Sequence, residues 1–433
     1  MALLWWSLAG LSGVTTITPG SQSLVLPLAE PVVADDDWPG WQGGARQGVA
    51  PTANPPGQWS LPQNSDPRGT LEQASAPCVI GDAIFLTRRR PSQGETWLTC
   101  LDRATGALRW RISLGRERDV EGMLPTPASD GTRVFVSSSQ QGELVVSAFN
   151  LQGQRLWSQA TGPIGRAVGP GQSPLIAGAL VYVAIDQKAP PWQWNGVGGY
   201  VAALHRQTGQ IVWRTPRVGA EGSATPIVGT LAGRRQLVLP SRNSVRAYDA
   251  DTGRELWRVR WSARVNIAAV VSDDEHVYAT AAGAERETLC IRADGTGDVD
   301  DTHVAWRVRF AGSGASPVLA GNQLIIVSEE GGVTALDRGQ GRVVWQQRLP
   351  GHFTAAPLLA GSRLYCLDHT GDVFVLDVQQ QGHAVGHSRT DRAHGLAIAG
   401  DRLLFTSSSG VSMISASGPT RITHDDLTIP ARR

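Results

Sequence analysis

Ala247-Tyr248-Asp249-Ala250-Asp251-Thr252-Gly253-Arg254-Glu255-Leu256-Trp257 reads as a strand, a tight turn and a second strand ending in tryptophan. Apolar residues alternate around Tyr248, and Gly253 sits where a hairpin needs positive φ. One such hairpin decides little. The same frame returns at Cys100–Trp110, Ala203–Trp213 and Ala335–Trp345, and in looser form at Ala148–Trp157. A repeat of this kind fixes the fold before any site is considered.

Working outward, each unit opens with a small residue and proline: Ala76-Pro77, Thr126-Pro127, Ser173-Pro174, Thr225-Pro226, Ser316-Pro317 and Ala356-Pro357. A short apolar strand, a Gly/Asp/Asn turn and a β-branched strand follow. A loop then leads to the strand ending near Ala-x-Asp, and the Thr-Gly turn returns the chain to its tryptophan. Turn signals about every 8–12 residues and no sustained helical periodicity call for antiparallel β-structure. Trp110, Trp157, Trp213, Trp257, Trp306 and Trp345 recur about every 40–55 residues, the period of four-stranded propeller blades. The expected fold is all-β, an eight-bladed β-propeller over residues 35–418. Seven blades fall at 76–115, 125–162, 173–219, 224–263, 266–312, 316–351 and 355–390, and an eighth at 393–418 shows three strands. Its fourth is expected from the N-terminal side, at Gln58–Leu61 with Trp59 in the tryptophan position, closing the ring. In the seventh blade Val385 stands where tryptophan is expected, which predicts a loose joint. Residues 419–433 read as a polar tail.

Composition agrees. The 433 residues carry 50 glycines, 18% charged residues and a formal net charge of +1. That balance gives no electrostatic footprint for nucleic acid or an anionic membrane. Cys78, Cys100, Cys290 and Cys366 are widely spaced, with Cys78 and Cys100 on non-adjacent strands of one blade, so buried free thiols are expected. Residues 1–34 hold a short apolar run and the small residues Val32-Val33-Ala34, the pattern of an export signal cleaved after Ala34, although no Lys or Arg precedes the run. No stretch elsewhere is long enough for a transmembrane helix. An exported, periplasmic or extracytoplasmic monomer is the expectation.

Ala-x-Asp-x-x-Thr-Gly-x-x-x-Trp, with the opening Asp37-Trp38-Pro39-Gly40-Trp41 and the following Gly43, Arg46 and Gly48, resembles the tryptophan-docking motif and start of the PQQ-like β-propeller repeat family. That family contains quinoprotein alcohol dehydrogenases and the non-catalytic outer-membrane assembly lipoprotein BamB. The resemblance implies that Trp59, Trp110, Trp157, Trp213, Trp257, Trp306 and Trp345 are structural, docking blade on blade. An aromatic ring used this way buries about 150–250 Å². Asp102, Asp249 and Asp337 are expected to accept hydrogen bonds from the turn that follows each.

Catalysis is not expected. The resemblance implies adjacent cysteines, a calcium-binding Glu/Asn/Asp set and an axial Asp in the dehydrogenases, and no two cysteines are adjacent here. The chain also lacks a Gly-x-Ser-x-Gly elbow, a His-Glu-x-x-His helix and a P-loop. No cofactor is therefore predicted, neither PQQ nor calcium. Asp294–Asp301 alternates oxygen ligands, yet Val299 and Ala305 stand where an EF-hand needs Gly and Glu, so it reads as a long hairpin turn. The expected role is protein–protein interaction on a BamB-like scaffold. The alternative is a quinoprotein-like dehydrogenase or small-molecule binder using the central funnel. Partner contacts are expected on the face carrying the long loops, through Arg89 and Arg90 of the Arg88–Glu95 loop and through Trp192 and Trp194 of Pro190-Pro191-Trp192-Gln193-Trp194-Asn195; the alternative for the two tryptophans is that they fold down to plug the central channel.

Overall fold

The computed structural model describes residues 33–60, 73–116, 124–164, 172–186, 197–218, 224–261, 265–282, 286–309, 315–390, 392–408 and 410–423. Eight antiparallel sheets, spanning 73–116, 128–163, 175–218, 227–260, 265–308, 318–348, 358–389 and 395–423, form blades 1 to 8 of a ring. The eight-bladed β-propeller is the observed fold.

Position in the blade sets the burial pattern. The second strand of blade 1, Ala83–Arg90, is buried on both faces because blades flank it on either side, so Ile84, Phe85 and Leu86 form a continuous apolar run. The outermost strand of blade 4, Glu255–Arg260, alternates instead: Trp257 and Val259 are buried, Arg258 and Arg260 exposed. The apolar core lies between blades. One such layer packs Cys78, Phe85 and Cys100 of blade 1 against Val134, Val136 and Phe149 of blade 2.

Blade 8 departs from expectation. Its outer strand is Gly418–Thr423, paired with Gly410–Ser415. Gln58–Leu61 does not complete this blade, and the propeller runs five residues past 418. The sequence Gly418-Pro419-Thr420-Arg421-Ile422-Thr423 carries no tryptophan, which hides it as an outer strand; the hairpin turn at Ser415–Gly418 makes it one.

Candidate functional site: the inter-blade joints and the central strap

Each repeat motif is a fastener. Asp102 Oδ1 accepts from the Ala104 and Thr105 N–H groups at 3.0 and 2.8 Å. Asp249 Oδ1 does the same for Asp251 and Thr252, and Asp337 Oδ1 for Gln340. In blades 4 and 6 the turn so fixed is the platform for the preceding blade's tryptophan. Trp110, Trp157, Trp213 and Trp306 donate their indole N–H to the carbonyls of Leu151, Arg206, Ala250 and Arg338 in the next blade, at 2.9–3.2 Å. The ring lies over the turn glycine: a Cβ on Gly253 would sit 2.4 Å from Trp213 Cε3, and one on Gly209 2.5 Å from Trp157 Cε3. Glycine is thus required twice, for φ of +72° at Gly253 and for the close approach. Behind the ring, Trp110, Trp157, Trp213 and Trp306 meet Phe85, Phe135, Tyr182 and Tyr278 of their own blades, with centroids 5.8–6.1 Å apart.

Trp257 and Trp345 dock with an adaptor. Trp257 donates to Gln236 Oε1 at 2.8 Å, and Gln236 Nε2 donates onward to the Ala293 carbonyl of blade 5 at 2.8 Å. Trp345 donates to Gln323 Oε1 at 2.8 Å and covers Gly382 of blade 7.

The joint between blades 7 and 8 is built from elsewhere in the chain. The register Tyr365–Val375–Gly386 matches Phe85–Cys100–Trp110 of blade 1, so Gly386, not Val385, holds the tryptophan place. Val385 is the bulged residue before it and is exposed. The N-terminal segment enters the vacated space. A Cβ on Gly386 would collide with the Gly57 carbonyl, the Tyr365 hydroxyl donates to the Pro55 carbonyl at 2.8 Å, and the Trp59 N–H donates to Ser388 Oγ at 2.8 Å. The Trp59 ring packs on Phe405 of blade 8 at 5.6 Å. Trp59 is a docking residue, but in this joint and not in an outer strand.

The same segment closes the axis. Trp38 exchanges two backbone hydrogen bonds with Val79 on the innermost strand of blade 1, both at 2.8 Å, and the Pro39 carbonyl accepts from Ser129 of blade 2. Gln47 Oε1 accepts from the Ser272 N–H of blade 5, and Val49–Ala50 adds parallel to Leu358–Ala360 of blade 7. Residues 38–50 thus form a strap tied to inner strands around the ring. Between the strap and blades 2 to 4 remains a cavity of about 270 Å³, lined by residues that include Trp41, Gln42, Pro174, Ile176 and Val228. Among the described residues that line it, none is an Asp, Glu, His, Cys, Lys or Arg.

The remaining sequence candidates are scattered. Arg89 and Arg90 lie on strand Ala83–Arg90, not in a loop. Arg89 is buried, pairs with Thr96 in register, and Arg90 sits over the Trp97 ring at 5.6 Å. Trp192 and Trp194 lie outside the described residues. Within the Asp-rich stretch, Asp298 lies 3.5 Å from the Arg260 guanidinium, Asp300 pairs with Arg260, and Asp294 lies 3.7 Å from Arg292. Among the described residues no group of three or more His, Cys, Asp or Glu is placed to hold a metal. All four cysteines are free and buried, and burial pushes the Cys100, Cys290 and Cys366 thiols up to about 12. Among the described residues no helix is long and apolar enough to cross a membrane. The sequence reading missed the strap. Its signals were Trp59 without a hairpin partner and the opening aromatic segment that needs a surface to cover.

Comparison with known proteins places this geometry in context. The family described as outer membrane protein assembly factor BamB matches residues 55–189, 197–299 and 296–420. A BamB of Burkholderia pseudomallei is 24% identical over 349 residues, covering 69% of this chain and 83% of that protein. A polyvinylalcohol dehydrogenase of Sphingopyxis sp. is 25% identical over 318 residues, covering 63% of this chain and 44% of that protein. Among solved structures, BamB from Moraxella catarrhalis superposes with a TM-score of 0.56 at 17% identity, covering 79% of this chain and 95% of that one. Quinohemoprotein alcohol dehydrogenase from Comamonas testosteroni superposes with a TM-score of 0.60 at 11% identity, covering 89% and 77%. These structural likenesses speak to the fold, which scaffold and dehydrogenase share.

Proposed function

This chain belongs to the family described as outer membrane protein assembly factor BamB, and from that membership we propose that it is a non-enzymatic propeller scaffold that binds protein partners outside the cytoplasm. One observation carries the non-enzymatic part. The axis, where a funnel-bound cofactor has to sit, is occupied by the chain's own strap at Trp38–Ala50, and among the described residues the cavity left beside it is lined without an ionisable side chain. Loops carried on a rigid ring are where binding usually resides, and the sequence sets its long loops on one face. The reading takes that loop face, with Trp192 and Trp194, as the partner surface, the molecule as a monomer, and PQQ and calcium as absent. The extracytoplasmic location is supported by relatives whose names place them in outer-membrane assembly and by the export-like pattern before Asp35.

Crosslinking in the native cell, followed by identification of captured proteins, tests the scaffold role. Recovery of outer-membrane assembly components is the expected result, and capture should weaken for Trp192→Ala combined with Trp194→Ala; unchanged capture by that double variant removes the loop from the interface. The dehydrogenase reading has one observation in its favour, the polyvinylalcohol dehydrogenase match over 63% of the chain. Incubation with PQQ and calcium, then gel filtration, separates the two. The scaffold predicts no quinone absorbance co-eluting with the protein, whereas stoichiometric absorbance overturns it.

A further inference from the structure

Blade 4 shows what the outer edge of a blade accepts. There the chain lays Gly297–Asp298 parallel to the outer strand Glu255–Arg260, pairing Trp257 with Gly297 and Arg258 with Asp298. The Val299 N–H donates to the Arg258 carbonyl at 3.0 Å, and the Asp300 carboxylate accepts from both the backbone N–H and the guanidinium of Arg260. Val299 is 1% exposed and joins the same apolar cluster as Leu256, the residue before the tryptophan. An extended acid–apolar–acid segment therefore caps this edge.

The outer edge of blade 6, Val343–Arg348, has the same register, and among the described residues no strand caps it. Trp345 pairs with Ala335 and Arg348 with Gly332, as Trp257 pairs with Ala247 and Arg260 with Ser244. The Leu349 N–H donates inward to Gly331, as the Trp261 N–H does to Asn243. Strand alternation then turns the Gln346 carbonyl and the Arg348 N–H outward. Val343 and Val344 are 43% and 47% exposed. Arg348 is exposed, and among the described residues it has no ion-pair partner. An uncovered edge of this kind is a template for strand addition.

The outer edges of blades 1, 2, 3, 5 and 7 lack the combination. Pro216 removes the outward N–H in blade 3, and Ala160 and Ser113 carry no charge at the corresponding place in blades 2 and 1. In blade 5 Arg309 falls beyond the end of the strand at Val308, and in blade 7 Arg389 lies 3.6 Å from Asp372.

We propose that the outer edge of blade 6 is a docking site for an extended acidic segment of a partner protein, which adds parallel to Val343–Arg348 and sets a carboxylate on Arg348. The proposal rests on the scaffold reading only in taking the partner to be a protein; it adds the surface and the chemistry of the segment. The test uses the full chain and a fluorescein-labelled peptide of the capping sequence, Gly-Thr-Gly-Asp-Val-Asp-Asp, followed by fluorescence anisotropy. Saturable binding is expected, about tenfold weaker for Arg348→Glu through lost pairing and added repulsion. Arg260→Glu should bind the peptide as the native chain does, which rules out exchange at blade 4. A peptide with Lys in place of its Asp residues should bind Arg348→Glu in preference to the native chain. Absence of saturable binding, or equal binding by Arg348→Glu, overturns the proposal. Peptide binding measured with purified components stands or falls independently of capture in the cell, so failure of this site and failure of the scaffold reading are distinguishable.

Discussion

The joint between blades 3 and 4 and the joint between blades 7 and 8 solve one problem in two ways. At the first, Trp213 covers Gly253, donates to the Ala250 carbonyl at 3.0 Å, and the neighbouring Thr215 hydroxyl donates to the Gly253 carbonyl at 2.7 Å. Every partner lies within one repeat of its neighbour. At the second, Gly386 leaves the position empty and Gly57 and Trp59 arrive from more than three hundred residues away in sequence. The difference teaches that the joint between blades 3 and 4 is a local, repeatable unit, whereas the joint between blades 7 and 8 is closed by a non-repeated segment. Closing a long loop adds entropy cost only slowly with length, so a distant strap is a workable substitute for a local tryptophan.

Removing the ring at the local joint should have the largest effect. Trp213→Ala leaves a cavity between blades and orphans the Ala250 carbonyl, a loss of about 3–5 kcal/mol, read as a lower denaturant midpoint. Gly253→Ala comes next, at about 2–3 kcal/mol, because its Cβ meets the Trp213 ring and the residue sits at positive φ; thermal unfolding checks it. If Gly253→Ala is neutral, the contact is not a fastener. Trp59→Ala should cost less, about 1–2 kcal/mol, since the ring is half-buried and backbone bonds of the strap remain. Its distinguishing readout is hydrogen exchange: protection should fall in blades 7 and 8 and hold in blades 3 and 4.

The smallest effect concerns the thiols packed inside the blades. Burial raises the folded pKa of Cys100, Cys290 and Cys366 above the unfolded value, so the native state retains protons that the unfolded chain releases. Their contribution to stability is complete below the unfolded thiol pKa of about 8.5 and declines as pH rises beyond it. Alkylation by iodoacetamide at pH 8 should be slow in the native protein and complete after denaturation. Rapid native labelling would show that blades open readily, and a mass map would tell which joint opens.

Much of the fold was legible because its determinants are short-range. Asp249, Thr252 and Gly253 specify a turn within five residues, and Trp257 follows at fixed spacing. The free cysteines were legible too, since Cys78 and Cys100 are separated by the strand that carries Phe85. The site was far less so. Arg89 and Arg90 read as loop residues because three consecutive arginines mimic a solvated turn, yet pairing with Thr96 and Glu95 carries the strand through them. Val385 read as the tryptophan equivalent because counting along the sequence ignores one extra turn residue: the Gly382 N–H reaches back to the Asp377 carbonyl where Gly253 reaches Asp249, which puts Gly386 in that row.

The sequence by itself determined the blade, its number and its fastener, because strand alternation, turn chemistry and a recurring tryptophan are all properties of neighbouring residues. Only the tertiary structure decided how the ring closes and what fills its axis. The strap has no periodicity of its own, and its partners at Val79, Ser129, Ser272 and Leu359 come together only once the ring exists. The same holds for the outer edges: Glu255–Arg260 and Val343–Arg348 read alike as strands, and only the placement of Gly297–Asp298 shows that one is covered while, among the described residues, the other is open.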